Sequence, residues 1–134
     1  WDFVDGDAFH PDANVKKMAR GESLTDADRA PWLRALQQFI HKRLANDDPA
    51  IVACSALKAA YREVLRAGND GVRFVYLRGE YDLIRRRMEA RDDHFFKPDL
   101  LASQFDALEE PTDALTISIN QSPADIVDAI LDAF

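Results

Sequence analysis

Hydrophobic and polar positions alternate along this chain in blocks that predict strands separated by helices. Short continuous apolar runs such as "AIVACS" are typical of strands that are buried on both faces. Longer blocks place apolar residues three and four positions apart, as on one side of a helix. One such stripe is formed by Trp32, Leu33, Leu36, Phe39, Ile40 and Leu44. Candidate helix caps are Thr25 with Asp28, and Ser55. The predicted strands are 1–4, 50–55, 72–77 and 115–119, and the predicted helices are 11–20, 25–45, 56–67, 81–90, 98–108 and 122–134.

The order of these elements predicts an α/β fold. Strands that alternate with helices form crossover units, which give a parallel sheet in three layers with helices on both faces. The whole chain, 1–134, is expected to be one domain. Functional residues of such sheets gather at the carboxyl ends of the strands. Three segments fall there: the acidic turn at 5–10, "CSALK" at 54–58 and the residues after "VYLRG".

Composition narrows the classes of function. The net charge of −7 argues against a nucleic-acid partner, since such proteins usually carry a basic face. No apolar run approaches the roughly 20 residues of a membrane helix, so no membrane partner is predicted. The single cysteine, Cys54, cannot form an internal disulfide, and a cytoplasmic location is the simplest interpretation. Its apolar neighbours favour a buried structural thiol over a nucleophile.

The stretch "VDGDAFHP" places Asp5, Asp7 and His10 just after the first strand. One carboxylate could hold a metal-bound water while the other orients or deprotonates a substrate hydroxyl. The alternative is that an aspartate caps the next helix and that His10 is a surface residue. The position after a strand end favours a functional interpretation, because loops there often carry binding residues.

Two basic groups are candidates for binding an anion. Lys58 and Arg62 lie four positions apart at the start of a helix that follows a predicted buried strand, so they share one face near the positive end of that helix. A second run, from Arg85 to Lys97, combines arginines with aromatic residues. It is interpreted either as a mobile flap that brings arginines over phosphates or as a solvated helix face followed by a loop. The three histidines have no zinc-ligand spacing.

Four long segments, in this order, resemble the gluconate kinases, which are small P-loop sugar-acid kinases of the nucleoside-monophosphate-kinase type. They are "DGDAFHPDANVKKMARGESLTDADRAPWL", "CSALKAAYREVLR", "FVYLRGEYDLIRRRMEAR" and "HFFKPDLLASQFDALEEP". The resemblance covers nearly the whole chain. It implies a five-stranded parallel sheet, helices on both sides and a lid around 85–97. It also implies ATP-dependent phosphorylation of D-gluconate to 6-phospho-D-gluconate with Mg²⁺.

The same resemblance implies roles for individual residues. Asp5 would act on the magnesium shell through a water molecule, and Asp7 would bind the substrate hydroxyl and could serve as base. The remaining assignments are a gluconate pocket formed by His10, Lys17, Arg29, Lys58, Arg62 and His94, and lid arginines Arg87 and Arg91 near the ATP phosphates. Members of this family often form homodimers, so a homodimer is a candidate assembly.

The chain departs from the family pattern at its start. It opens on "WDFVDGD", and the phosphate-binding motif Gly-x-x-x-x-Gly-Lys-Ser/Thr does not occur in the 134 residues. The expectation is a kinase fold that lacks the first strand, the phosphate loop and the first helix, and a segment that alone turns over poorly. Two alternatives are a kinase of the same fold for another acceptor, such as shikimate or a nucleotide, and a non-catalytic sugar-acid-binding relative.

Overall fold

A computed structural model describes residues 1–91 and 98–134 of the chain. The strands are β1 (Asp2–Asp5), β2 (Ala50–Ala53), β3 (Val75–Arg78) and β4 (Leu115–Ser118), and a 3₁₀ turn (Gly6–Phe9) follows β1. The helices are α1 (Asp12–Ala19), α2 (Asp26–Ala45), α3 (Ala59–Arg66), α4 (Tyr81–Glu89), α5 (Pro98–Ala107) and α6 (Pro123–Ala133). Each predicted strand and helix is present, and most differ from the prediction only at their ends. No helix within the described ranges combines the length and the apolarity needed to cross a membrane.

The strands pair in parallel, as predicted, but in two separate sheets. β1 pairs with β2 in a register that sets Asp5 opposite Ala53, and β3 pairs with β4. In the described part of the chain β2 and β3 do not pair with each other, so the single five-stranded sheet implied by the resemblance is not continuous here. The architecture is nevertheless α/β, with parallel sheets flanked by helices.

The core lies between α2 and α3. It contains the buried side chains Trp32, Leu33, Leu36, Tyr61 and Leu65. Burial of each large apolar side chain contributes about 1.5–3 kcal/mol relative to exposure. The predicted stripe of α2 is buried at 32, 33 and 36 and packs α2 against α3, whereas Leu44, at its far end, is 42% exposed.

The prediction that "AIVACS" is buried on both faces was wrong. Phe3 and Ile51 face each other across the β1–β2 pair and are 68% and 52% exposed. Exposure in β2 alternates with the strand period of two, so only one face of this sheet packs against the core. A continuous apolar run cannot by itself distinguish a strand that is covered on both faces from one that is covered on one.

The start of α3 also differs from the prediction. Ser55 was expected to cap a helix beginning at Ala56, but α3 begins at Ala59 and Lys58 is its N-cap residue. The backbone N–H of Ala59, which has no acceptor within the helix, donates to the Glu109 carboxylate at 2.8 Å. A distant side chain thus satisfies a helix-end donor, and residues 55–58 are left as a loop after β2.

Candidate active site

The acidic turn is built by the end of β1 and the 3₁₀ turn that follows it. The Asp5 side chain accepts a hydrogen bond from the backbone N–H of Asp7 at 3.0 Å, which fixes the start of the turn. Gly6 lies so close to β2 that a Cβ atom there would sit 2.7 Å from the Ala53 carbonyl oxygen. Trp32 Nε1 donates to the Gly6 carbonyl at 2.8 Å and ties the turn to the core. The local sequence therefore presents Asp7 at the carboxyl edge of two strands.

Asp7 is an accessible acid of the turn. Its side chain is 69% exposed, so a ligand hydroxyl can reach the carboxylate. Partial burial and, to a smaller extent, the negative charge of Asp5 raise its pKa, while His10 opposes the rise. Water screens these effects at so exposed a group. An ionised carboxylate can only accept hydrogen bonds, which suits it to a hydroxyl.

His10 is not the surface residue of the alternative interpretation. Its side chain is only 3% exposed, and its ring stacks on Trp32 with centroids 4.5 Å apart and an interplanar angle of 13°. His10 Nε2 lies 3.9 Å from Asp7 Oδ1. Burial is the main cause that lowers the pKa of His10; Asp7 opposes this effect and Arg29 adds to it. The imidazole is therefore predominantly neutral at pH 7.

A hydrogen-bonded cluster joins the N-terminal ends of α2 and α3. Arg29 Nη1 donates to the Tyr61 hydroxyl at 2.9 Å, and Tyr61 in turn donates to the Asp26 carboxylate. Lys58 Nζ donates to the same Asp26 oxygen at 3.0 Å. The hydrogen bond from Tyr61, followed by that from Lys58, lowers the pKa of Asp26. We call these four residues the basic cluster. The charge of Arg29 also lowers the pKa of His10, so the basic cluster adjoins the acidic turn.

Lys17 belongs to the same region through Asp28. Its Nζ donates to Asp28 Oδ2 at 2.7 Å, and Asp28 forms a capping box with Thr25 at the start of α2. The hydrogen bond from Lys17, with a further one from the Thr25 backbone, lowers the pKa of Asp28 to about 2. In this structure Lys17 therefore has a carboxylate partner within the protein.

Arg62 occupies a different environment from the one predicted. Only 7% of the residue is exposed, and its guanidinium donates to the carbonyl oxygens of Ala56, Leu57 and Glu109 at 2.8, 3.2 and 2.8 Å. These bonds hold the 55–58 loop against the segment at Glu109. They support a role in shaping the loop that carries Lys58, while a contact between Arg62 and substrate stays a prediction.

The predicted lid is described only in part. Arg87 lies in the last turn of α4 and is exposed, and Arg91 follows the end of that helix. His94, assigned to substrate binding, lies outside the described residues, as do 92–97 as a whole. The assignment of Arg87 and Arg91 to ATP phosphates stays a prediction.

Cys54 lies beside the acidic turn but has no nucleophilic character. Burial, with a smaller contribution from Asp7, raises the pKa of its thiol to about 12. A thiol with so high a pKa stays protonated at neutral pH, and the reactive thiolate is not formed. This agrees with the interpretation of Cys54 as a structural residue.

The acidic turn fits a magnesium ion that keeps most of its water. Among residues 1–91 and 98–134 there is no group of three or more acidic, histidine or cysteine side chains that could cage a metal ion. Mg²⁺ is usually held by one or two carboxylates together with water and substrate phosphates, so such a cage is not required. Asp5, at the end of β1, supplies an oxygen donor of this type.

Sequence reasoning missed Tyr61, Asp26 and Asn14. Tyr61 lies three residues after Lys58, a spacing that places both on one face of a helix and could have drawn attention to it. Asn14 is buried four residues after His10, and an asparagine inside a helix is itself unusual. Asp26 gave no signal beyond its place in the first turn of α2, where acidic residues are common.

Comparisons with known proteins show the family of the chain. The thermoresistant gluconokinase of Escherichia coli K12 is 42% identical over 134 residues, an alignment that covers 97% of this chain and 77% of that protein. A crystal structure of a gluconokinase from Sinorhizobium meliloti 1021 superposes with a TM-score of 0.84 at 40% identity, covering 98% of this chain and 75% of that one. An unliganded sugar kinase from Janibacter sp. HTCC2649 superposes with a TM-score of 0.90 at 40% identity, covering 98% and 78%. No protein-family model matches the chain. At this level of identity and coverage, the chain belongs to the gluconokinase family.

Proposed function

We propose that this protein transfers the terminal phosphoryl group of ATP to a hydroxyl of D-gluconate, giving 6-phospho-D-gluconate and ADP. The observation that carries the proposal is the position of His10 between two charged groups. Its Nε2 lies 3.9 Å from the exposed Asp7 carboxylate, and its pKa responds to the charge of Arg29, which with Lys58 belongs to the basic cluster. The substrate offers the complementary groups, a row of hydroxyls and a carboxylate. The gluconokinase relatives favour this acceptor over shikimate or a nucleotide.

Asp7 is assigned to the hydroxyl that is phosphorylated. Its carboxylate lies at the carboxyl edge of β1 and β2 and is open to solvent. It accepts the hydroxyl hydrogen, aims the oxygen at the phosphorus atom and takes the proton as the new P–O bond forms. Since phosphoryl transfer needs little covalent help from the protein, positioning of this oxygen accounts for much of the catalytic effect.

The basic cluster is assigned to the carboxylate of gluconate. Lys58 is about one third exposed, so its ammonium group can reach a ligand while it remains close to Asp26. Arg29 is buried and is oriented by Tyr61, which makes its guanidinium a fixed source of positive charge. Lys17 is assigned to the rim of the same pocket, where Asp28 holds it. His10 supplies a neutral ring at the boundary between this pocket and Asp7.

The phosphate side of the reaction is assigned to the acidic turn and to the lid. Asp5 would hold the water shell of Mg²⁺, and the ion, when bound, neutralises charge on the phosphates. Arg87 and Arg91 are assigned to the same phosphates. A homodimer and a cytoplasmic location stay predictions made from the family resemblance and from the single cysteine.

The test is substrate choice by the intact protein. With ATP and Mg²⁺, D-gluconate should give 6-phospho-D-gluconate and ADP. The reaction is measured by ³¹P NMR and by ADP release. Shikimate and a nucleoside monophosphate serve as competing acceptors. Phosphorylation of either of these without phosphorylation of gluconate would refute the proposal. Calorimetric binding of gluconate with no turnover in the presence of MgATP would instead identify a non-catalytic sugar-acid-binding protein.

A further inference from the structure

Asn14 makes contacts that decide the position of a proton on His10. Asn14 is 5% exposed, and its side-chain nitrogen Nδ2 lies 2.8 Å from the backbone carbonyl oxygen of Asp28 and 3.2 Å from His10 Nδ1. An asparagine amide group has a donor nitrogen and an acceptor oxygen, and its orientation is set by its partners. The carbonyl of Asp28 can only accept, so the nitrogen must face it.

The same nitrogen therefore faces His10. An amide nitrogen has two hydrogens and no lone pair to offer, so His10 Nδ1 must accept. In a neutral imidazole only one ring nitrogen carries hydrogen. Because Nδ1 is the acceptor, the hydrogen lies on Nε2, the ring nitrogen that is 3.9 Å from Asp7 Oδ1.

The contrast with His41 shows that the histidine tautomer depends on how the neighbouring asparagine amide is oriented, and not on the presence of an asparagine. Asn69 Nδ2 donates to the carbonyl oxygens of Leu65 and Gln37 at 2.9 and 3.4 Å, so its amide oxygen faces His41 Nδ1 at 3.2 Å. There the asparagine accepts and favours hydrogen on Nδ1. The His10–Asn14 and His41–Asn69 pairs thus select opposite tautomers.

We propose that Asn14 is a positioning residue that holds His10 in the Nε2–H tautomer and so turns a neutral N–H donor toward Asp7. The stack on Trp32 fixes the plane of the ring, and Asn14 fixes which nitrogen is the donor. The separation of 3.9 Å between Nε2 and Oδ1 is too long for a direct hydrogen bond. A hydroxyl group that bridges the two atoms accepts a hydrogen bond from His10 Nε2–H at its oxygen and donates its own hydrogen to Asp7.

This arrangement would select one rotamer of the acceptor hydroxyl, in which its hydrogen points at the base and a lone pair is free to attack. That consequence rests on the proposed kinase function, whereas the tautomer of His10 does not. With the other tautomer, an N–H on Nδ1 would face the Asn14 N–H, and a lone pair on Nε2 would face the Asp7 carboxylate. Both contacts are unfavourable.

The tautomer is measured directly by long-range ¹H–¹⁵N NMR of the intact protein at pH 8 without substrate. The chain has three histidines, and His10→Gln and His41→Gln variants assign the signals of the two in question. The Nε2–H pattern for His10 supports the proposal. The Nδ1–H pattern, or an equal mixture of the two, overturns it.

The role in positioning is tested with Asn14→Leu, which keeps the approximate shape but removes the donor. The His10 signals should shift toward a mixture of tautomers, and kcat with gluconate should fall on the order of tenfold to a hundredfold with little change in the KM for ATP. Asn14→Ser, a smaller donor, is the second variant, and it should retain more of the Nε2–H form and of kcat than Asn14→Leu. If the leucine variant does not fold, the comparison uses kcat alone, which should be higher in Asn14→Ser than in His10→Gln. An unchanged tautomer with unchanged kcat would overturn the proposal. An intact protein that shows the Nε2–H pattern but phosphorylates no gluconate would refute the proposed function and leave the tautomer assignment supported.

Discussion

Arg29 Nη1 donates to the hydroxyl of Tyr61 at 2.9 Å, and its guanidinium carbon lies 5.3 Å from the centroid of the same ring. The Tyr61 hydroxyl in turn donates a hydrogen bond to the Asp26 carboxylate. Tyr61→Phe keeps the buried ring and removes only this link. Because hydrogen bonds to charged groups contribute about 1.5–3 kcal/mol, we expect the KM for gluconate to rise roughly tenfold or more. Initial-rate kinetics with varied gluconate and saturating ATP measure the change.

Tyr76→Phe is the matched control for this prediction. The Tyr76 hydroxyl also donates to a carboxylate, that of Glu110 at 3.0 Å, but it lies on β3 and its partner is not a member of the basic cluster. The control should leave the KM for gluconate within about twofold. Equal effects of the two substitutions would show that loss of a tyrosine hydroxyl acts through general stability and not through Arg29.

Asp7→Asn should remove most turnover in the intact protein and leave the fold in place. The amide keeps the size of the side chain but cannot take the hydroxyl proton, and loss of a general base typically costs about 10²–10⁴ in rate. Since the side chain is 69% exposed, stability should change by no more than about 0.5 kcal/mol. Single-turnover kinetics and thermal unfolding measure the two effects. Near-normal turnover would show that Asp7 is not the base.

Lys58→Met tests the anion contact in the basic cluster. Methionine keeps most of the apolar stem and removes the ammonium group, so binding of the gluconate carboxylate should weaken roughly tenfold or more with little change in the KM for ATP. Loss of the exposed ion pair with Asp26 should change stability very little, because water screens such pairs. Lys42→Met, at an exposed position near the far end of α2, is the control. Unchanged gluconate affinity in the Lys58 variant would exclude the contact.

The elements that the sequence predicted well are those whose signal is local. The apolar spacing of Trp32, Leu33 and Leu36 specifies one helix face without reference to the rest of the chain, and all three are buried. The capping box between Thr25 and Asp28 likewise depends on four consecutive positions, and it is present. The acidic turn was located for the same reason, since Asp5 and Asp7 follow a strand directly.

What the sequence could not predict depends on distant partners. The Glu109 carboxylate accepts a hydrogen bond from the first N–H of α3, although the two residues are 50 positions apart in the sequence. No local sequence pattern predicts such a cap. Arg62 occupied a plausible anion-binding spacing with Lys58, yet its donors are turned to backbone carbonyls 47 positions away as well as nearby. Tyr61 was counted with neither the core nor the site, although its ring is buried and its hydroxyl lies in the basic cluster.

Arg62→Ala should destabilise the fold more than any other arginine substitution on α3. It removes the Arg62 donors from the carbonyl oxygens of Ala56, Leu57 and Glu109, although Leu57 still accepts from the Glu109 backbone N–H. Hydrogen bonds from a charged donor contribute about 1.5–3 kcal/mol. Arg66→Ala is the control, because Arg66 pairs at the surface with Glu63 and Asp113 and such pairs contribute about 0–1 kcal/mol. Urea unfolding measures both. Equal stability of the two variants would contradict the structural role of Arg62.

Asp28 should make stability depend on pH in the acid range. Its folded-state pKa is lowered from 3.8 to about 2, chiefly by the hydrogen bond from Lys17 and then by that from the Thr25 backbone. The folded protein therefore holds the ionised form more strongly than the unfolded chain does, so this contribution is complete above about pH 4 and is lost as the pH falls to 2.

Asp28→Asn removes the ionisable group and tests this dependence. The variant should be less stable than the parent at pH 6, and the difference in the free energy of unfolding should shrink between pH 4 and pH 2, because protonation removes the same interaction from the parent. Fluorescence of the buried Trp32 during urea unfolding can report the transition. Asp12→Asn, at an exposed position in the first turn of α1, is the control. A difference that stays constant across this range would mean that Asp28 acts as a cap without using its charge.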